Sequence, residues 1–240
     1  MTDYLVFQLY GPMASWGEPA VGEMRHTNTI PGRSSILGLL AAALGIKRAD
    51  EELLNELHAN YRIAVRQLTE SQWLRDYHTT QVPKENRKLR YATRRDELRL
   101  APDELQTILS TREYRCDAYY LIAIEKTEGA PYELNVLQRA LLNPVFPLYL
   151  GRKSCPVGLP LAPRCLSGEL AQVLIDAETL LYPQLQPYKG WGTRCFWEGV
   201  AKRKGLLLQQ SQERADNPIS RKRWQFNSRI QHQGHLVKEA

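Results

Sequence analysis

The chain opens on an alternation of period two. Leu5, Phe7 and Leu9 fall on one side and Tyr4, Val6 and Tyr10 on the other, which predicts a central strand. Pro31-Gly32-Arg33-Ser34-Ser35 then leads into Ile36–Gly45. This reads as a helix capped by the hydroxyl of Ser34 or Ser35 and stopped at Gly45. A second helix follows Asp50, with Glu51 and Glu52 in its first turn, and ends near Asn60. Residues 61–68 alternate again as a strand, whereas residues 69–112 lose the period and turn polar and basic. Order resumes with a long strand, Tyr114–Glu125, apolar on both faces. A helix over 132–142 follows with Leu134, Leu137 and Leu141 as its stripe, then a stop at Asn143-Pro144 and a short strand at 145–150.

The order β, α, β, insertion, β, α, β is the split βαβ arrangement. It predicts an α+β fold of ferredoxin-like (RRM-like) type, with residues 1–77 and 113–240 as its body and 78–112 as an insertion. Such an antiparallel sheet leaves one face open, the surface on which RNA-recognition domains stack bases, although their aromatic strings are absent here. The last ninety residues read as an irregular, β-rich elaboration. It holds one helix near 168–176 and hairpins around Lys189–Gly199 and Trp224–His232.

Charge changes the picture. The chain of 240 residues carries a net charge of +6, which favours an anionic partner. The charge is uneven: residues 84–99 hold seven Lys/Arg against three acids, and residues 202–240 hold nine against three. Two basic zones on an otherwise balanced chain look like a binding track. Cys116, Cys155, Cys165 and Cys195 form no C-x-x-C pair, and no histidine sits at zinc-finger spacing, so no metal is expected. Scattered cysteines without a signal peptide fit a reducing cytoplasm. The apolar run Ile36–Ile46 falls short of the about 20 residues that span a bilayer. No phosphate-binding G-x-x-x-x-G-K-[ST], hydrolase G-x-S-x-G or carboxylate cluster is present, and no cofactor is implied.

Several residues are candidates for chemistry. Arg33, Ser34 and Ser35 at a helix start suit a phosphate; alternatively they are a cap beside a solvated arginine. Gly11 and Gly17 allow close approach by a ligand, and Trp16 between them could stack a base or cover the core edge. Gly38 and its neighbouring alanines read as packing against the sheet. Arg75, Tyr77 and His78 lead into the insertion, and Arg87, Lys88, Arg90, Tyr91, Arg94 and Arg95 continue it, either as an RNA contact or as a solvated loop. Arg112 stands at the return, and Tyr149 with Arg152-Lys153 could clamp a backbone. Arg221-Lys222-Arg223-Trp224 adds a basic–aromatic cluster. A metal-independent ribonuclease could be built from Tyr77, His78 and Lys84, provided that the fold brings them together.

Four strings carry a resemblance. Gly11-Pro12-Met13-x-x-Trp16-Gly17 with Pro31-x-Arg33-Ser34, Leu74–Thr79, Arg112-Glu113-Tyr114-x-Cys116-Asp117-Ala118 and Tyr149–Pro156 occur in the order found in the CasD family, with Gln225-Phe226-x-Ser228-Arg229 as a weaker echo. The chain resembles that family, the 5′-handle-binding subunits of the type I-E CRISPR Cascade. The resemblance implies a ferredoxin-like palm and a protruding thumb at about 78–112. It implies binding of the crRNA 5′ handle, contact with a CasC-like backbone subunit and a CasA-like large subunit, and target DNA met only through the complex. Processing of the precursor belongs to a separate subunit, CasE. The RNA-binding residues it points to are Trp16, Arg25, Arg33, Ser34, Ser35, Arg75, Tyr77, His78, Arg87, Lys88, Arg90, Arg112, Tyr149, Arg152 and Lys153. An endoribonuclease acting on precursor crRNA is the alternative.

Overall fold

The computed structural model describes residues 1–17, 20, 23–86, 90–220, 223 and 225–237. One sheet organises the molecule. Its centre is β5 (Leu105–Lys126), flanked by β1 (Thr2–Ala14) and β3 (Tyr61–Gln67), with β6 (Arg164–Gly168) outside β1. The sheet continues from β3 through β7 (Arg194–Trp197) and β9 (Gln225–Leu236) to β8 (Leu206–Ser220). These pairings are antiparallel; among the described residues only the two-residue β2 (Met24–Arg25) pairs in parallel, with β5. Helices α1 (Arg33–Leu44) and α2 (Glu51–Asn60) connect β1 to β3, the one-turn α3 (Arg94–Glu97) precedes β5, and α4 (Leu134–Leu142) follows it.

The alternation in β1 sorts the core. Leu5, Phe7 and Leu9 join Ile63, Val65, Ile122 and Ile124 beneath α1 and α4, where Leu134, Leu137 and Leu141 complete the layer. Tyr4 and Val6 point the other way, with Ala64, Tyr119, Leu121 and Ala123. That second face is not open. It is covered by α5 (Leu170–Asp176) and by Trp191, Trp197, Leu206 and Leu236. A strand apolar on both faces has to be covered twice, because each exposed apolar side chain forgoes about 1.5–3 kcal/mol of burial. The C-terminal part supplies that cover with α5 and the segments around Leu181 and Trp191, while β7, β9 and β8 extend the same sheet beyond β3. The helix expected near 168–176 is α5. The segment 189–199 makes no hairpin of its own: β7 pairs with β3 and β9 instead. The long hairpin is β8–β9.

Three other expectations change. Residues 145–150 form no strand beyond a single bridge, Tyr149 with Pro156. Pro147 lacks an amide, and Val145 and Phe146 donate theirs to the carbonyls of Ala43 and Ala42 at 3.0 and 3.1 Å, closing the end of α1. The fourth strand of the core is β6. Within residues 69–112, β4 (Gln72–Pro83) pairs with the first half of β5, from Gln72↔Cys116 to Pro83↔Leu105, as a long ribbon. The boundaries expected at 77/78 and 112/113 therefore fall inside two continuous strands. Helix α1 begins at Arg33 after Gly32, with no side-chain cap, so Ser34 and Ser35 sit within its first turn.

Arg33 is 7% exposed. Its guanidinium donates to the Tyr61 carbonyl at 2.8 Å and to the His58 carbonyl, and pairs with Glu198. Glu198 in turn meets Arg229 at 3.1 Å, and Arg229 grips Asp216 through two bonds of 2.6 and 2.7 Å. This buried chain of alternating charges bolts the start of α1 to the end of β7 and to the β8–β9 hairpin.

Candidate nucleic-acid interface

The Gly11–Gly17 string and the Tyr149–Pro156 string are far apart in sequence and interlock in space. Ser15 donates its amide to the Leu150 carbonyl at 3.0 Å, and Leu150 donates to Cys155 at 2.7 Å. Gly151 has φ +84° and lies so close to the Ser15 carbonyl that a Cβ would stand 1.7 Å from its oxygen; only glycine fits there. Trp16 closes the other side. It is 2% exposed, its indole N–H donates to the Tyr120 hydroxyl at 3.3 Å, and its amide is held by the Thr27 hydroxyl at 2.8 Å. Trp16 is therefore a core anchor with no face for a base. Arg33, with its guanidinium taken up inside the protein, is likewise withdrawn from any phosphate.

The interlocked loops hold two surfaces side by side. One is a groove of about 630 Å³ on α1, lined by Gly17, Ser34, Ser35, Gly38, Lys47, Arg48, Phe146 and Tyr149. Ser34 and Ser35 bring hydroxyls to the positive end of the helix, and Tyr149 presents a half-exposed ring. Gly38 faces this groove, not the sheet: a Cβ there would meet nothing within 4 Å. Lys47 and Arg48 lie far from the two basic zones, so the uneven charge along the chain did not single them out.

The second surface is the root of the ribbon. β2 sets Arg25 opposite Arg112 of β5, and β4 sets Asp76 opposite Arg112 from the other side. Arg152 reaches over from the interlocked loop. It donates to the carbonyls of Glu113 and Arg25, both at 3.2 Å, and lies over the Tyr114 ring at 4.8 Å. Arg152 thus ties β2 to β5, while its neighbour Lys153 is exposed. With Arg25 and Arg112, also exposed, they make one basic patch continuous with the groove through residues 149–153.

Strand pairing divides the remaining candidates between the two ribbon faces. Arg112 and Tyr114 share a face with Asp76 and His78, and His78 is bonded to Asp76 at 2.5 Å. Trp73, Arg75 and Tyr77 lie on the opposite face with Glu113 and Arg115. Tyr77 is 61% exposed. Trp73, absent from the sequence-derived candidates, is 48% exposed, with the Arg75 guanidinium 4.4 Å from its ring centre; its place at alternation with Arg75 and Tyr77 was the available signal. Tyr77 and His78 point to opposite faces, and Lys84 follows six residues beyond His78, about 20 Å along an extended strand. The suggested ribonuclease trio is not assembled. Near the ribbon tip Arg90 and Arg95 are exposed, whereas Arg94 is bound to Glu97 at 2.5 Å and to the Gln81 carbonyl. Arg87 and Lys88, and three residues of the Arg221–Trp224 cluster, lie outside the described residues; Arg223 is exposed.

Glu113 is the electrostatic pin of the root. Burial alone would raise its pKa, but hydrogen bonds from His26, the Thr27 amide and Trp73 outweigh it and hold the carboxyl below its ordinary value. A depressed carboxyl stabilises the fold above the unfolded pKa, about 4.3 for glutamate, and loses that contribution as pH falls through the folded value. We expect the stability difference between wild type and Glu113→Gln, measured by urea unfolding, to be about 1–3 kcal/mol at pH 7. It should shrink steadily below about pH 4. A difference independent of pH would refute this role.

Among the described residues no cluster of His, Cys, Asp or Glu could hold a metal ion, and no helix is long and apolar enough to cross a membrane.

A mixed α/β chain with one large antiparallel sheet and a basic ribbon root is a class that known proteins define further. The family model described as CRISPR-associated protein (Cas_Cas5) matches residues 4–230, and the chain belongs to that family. It is 36% identical over 187 residues to the CRISPR system Cascade subunit CasD of Escherichia coli (strain K12), covering 74% of this chain and 78% of that one. A chain of a solved CRISPR RNA-guided surveillance complex superposes with a TM-score of 0.65 at 23% identity, over 98% of this chain and 90% of that one. A crystal structure of a Cas protein gives 0.56 at 26% identity, over 99% and 98%.

Proposed function

We propose that this chain is a crRNA-binding subunit of a type I-E-like CRISPR Cascade, and that it caps the 5′ handle of the guide RNA without cutting it. The patch of Arg25, Arg112, Arg152 and Lys153 at the ribbon root carries this reading. Four cations converge there beside a groove that offers serine hydroxyls and a tyrosine ring. Such a surface neutralises phosphates and stacks an unpaired base, which is how single-stranded RNA ends are held. Family membership and the likeness to CasD support the same reading. The order β6-β1-β5-β3, with helices between β1 and β3 and between β5 and β6, supports a ferredoxin-like palm, and the β4–β5 ribbon is its thumb. In this reading the protein works in the cytoplasm between a CasC-like backbone subunit and a CasA-like large subunit, and meets target DNA only through them.

The test is fluorescence anisotropy with labelled handle RNA and a scrambled control across a salt series. Arg25→Ala, Arg112→Ala and Lys153→Ala combined are expected to weaken handle binding at least tenfold. The slope of log affinity against log salt should flatten by about 0.7 for each phosphate no longer neutralised. Unchanged affinity would leave a purely protein-bridging subunit. Incubation with labelled repeat RNA in EDTA separates the other reading: the RNA should stay intact, and cleavage at one site would make the chain a processing nuclease.

A further inference from the structure

We propose that a second groove, on the other face of the ribbon root, holds the sugar–phosphate backbone of a single-stranded nucleic acid outside the handle. This goes beyond the handle reading and does not depend on it. The groove measures about 1010 Å³ and lies between residues 67–71, the loop 187–194 and the base of the β8–β9 hairpin at Gln209 and His235. Three cations line it, Arg115, Lys189 and Arg194, against one carboxylate, Glu70. Hydroxyls of Thr29, Thr69, Ser71 and Thr193 fill the intervals. None of these residues belongs to the handle patch.

The walls are built in advance. Gly192 donates its amide to Leu68 at 2.8 Å and comes so close that a Cβ would stand 2.4 Å from the Gln67 carbonyl oxygen. Gly190 donates to Pro187 at 2.9 Å, and Thr193 is bonded to His235 at 3.1 Å. Thr69 donates its hydroxyl to the Asp117 backbone carbonyl at 2.9 Å. A preset wall lowers the entropic cost of binding.

Aromatic placement decides the class of ligand. Tyr188 is fully exposed between Pro187 and Lys189, two residues of the groove lining. Arg115 pairs across the ribbon with Trp73, so the face carrying Trp73, Arg75 and Tyr77 runs into the groove. Cations alternating with open aromatic rings are the pattern that binds single strands without regard to sequence, because every base has a face to stack. An acidic protein segment would use the cations and make no use of the exposed Tyr77 and Tyr188 rings. The same chemistry serves guide RNA beyond the handle and a displaced DNA strand.

The experiment uses the full chain with labelled oligouridylate and oligothymidylate, neither containing repeat sequence, titrated over a salt series. Lys189→Gln, Arg194→Gln and Arg115→Gln combined are expected to weaken binding of at least one oligomer about tenfold or more and to flatten its salt slope by about 2. Tyr188→Ala alone, a fully exposed position that leaves the fold intact, should weaken it about tenfold with little change of slope. Loss confined to uridylate assigns the groove to guide RNA, and loss with thymidylate also admits a DNA strand. Handle RNA should keep its preference over the scrambled control in both variants, so failure of the handle reading and failure of this one are distinguishable. Oligomer affinity and slope unchanged in the triple variant, whatever its effect on a polyglutamate competitor, would overturn the proposal.

Discussion

Arg33→Ala is expected to destabilise the protein by about 3–5 kcal/mol, the range for removing one member of a buried ion pair, and to lower its melting temperature by about 10 °C or more. The loss has a structural cause. Without the guanidinium, Glu198 keeps its charge in the interior, and the carbonyls of His58 and Tyr61 lose their donor. Lysine cannot repair this, because one ammonium cannot copy a planar fork serving a carboxylate and two carbonyls. Arg33→Lys should therefore unfold well below wild type too. Thermal and urea unfolding measure the effect, and the handle affinity of the folded protein should scarcely move. A variant of normal melting temperature that fails to bind handle RNA would return Arg33 to the binding surface.

Gly151→Ala should be more damaging still. The new methyl would lie 1.7 Å from the Ser15 oxygen at a backbone angle of +84°, so the Tyr149–Pro156 loop has to leave the Gly11–Gly17 loop. The expected loss exceeds about 4 kcal/mol, the territory of exceptional single substitutions. It should also abolish handle binding, since Arg152 and Lys153 ride on that loop. Gly38→Ala is the matching control. A Cβ there meets nothing, and alanine gains about 1 kcal/mol over glycine inside a helix. Unfolding midpoints of the two variants should move in opposite directions; equal shifts would remove the interlock as the explanation.

What the sequence made legible follows from where each residue's partners lie. The alternation in residues 3–10 and 114–125 announced the central strands, and its apolar character on both sides already required two covers. The inference of an open face neglected that requirement. Helix α4 was readable because its leucine stripe is local. Arg33 was not, because its partner Glu198 is 165 residues away, and a charged residue at a helix start looks the same whether it faces solvent or a buried carboxylate. For the same reason the sequence leaves Trp16 open between stacking a base and covering the core edge, its partner Tyr120 being 104 residues distant. The ribbon escaped notice because strands exposed on both faces carry no apolar period. Residues 145–150 showed an apolar run without the amide at Pro147 that a strand would have used. Arg25, Arg112, Arg152 and Lys153 are separate candidates in the sequence, and both the pairing of β2 with β5 and the reach of Arg152 from its loop draw them to one place.

The double-faced sheet also bears on how the protein is made. Tyr4, Val6, Tyr119 and Leu121 are all synthesised well before Leu170, Leu174, Trp191 and Leu236, which share their cluster. Pairings of such long sequence separation close late. A nascent chain leaving the ribosome therefore carries a greasy, half-finished sheet until residues 170–236 emerge, at about 5–20 residues per second. Truncation near the C-terminus would strip the lid from that sheet, and the expected product is an aggregate rather than a smaller working domain.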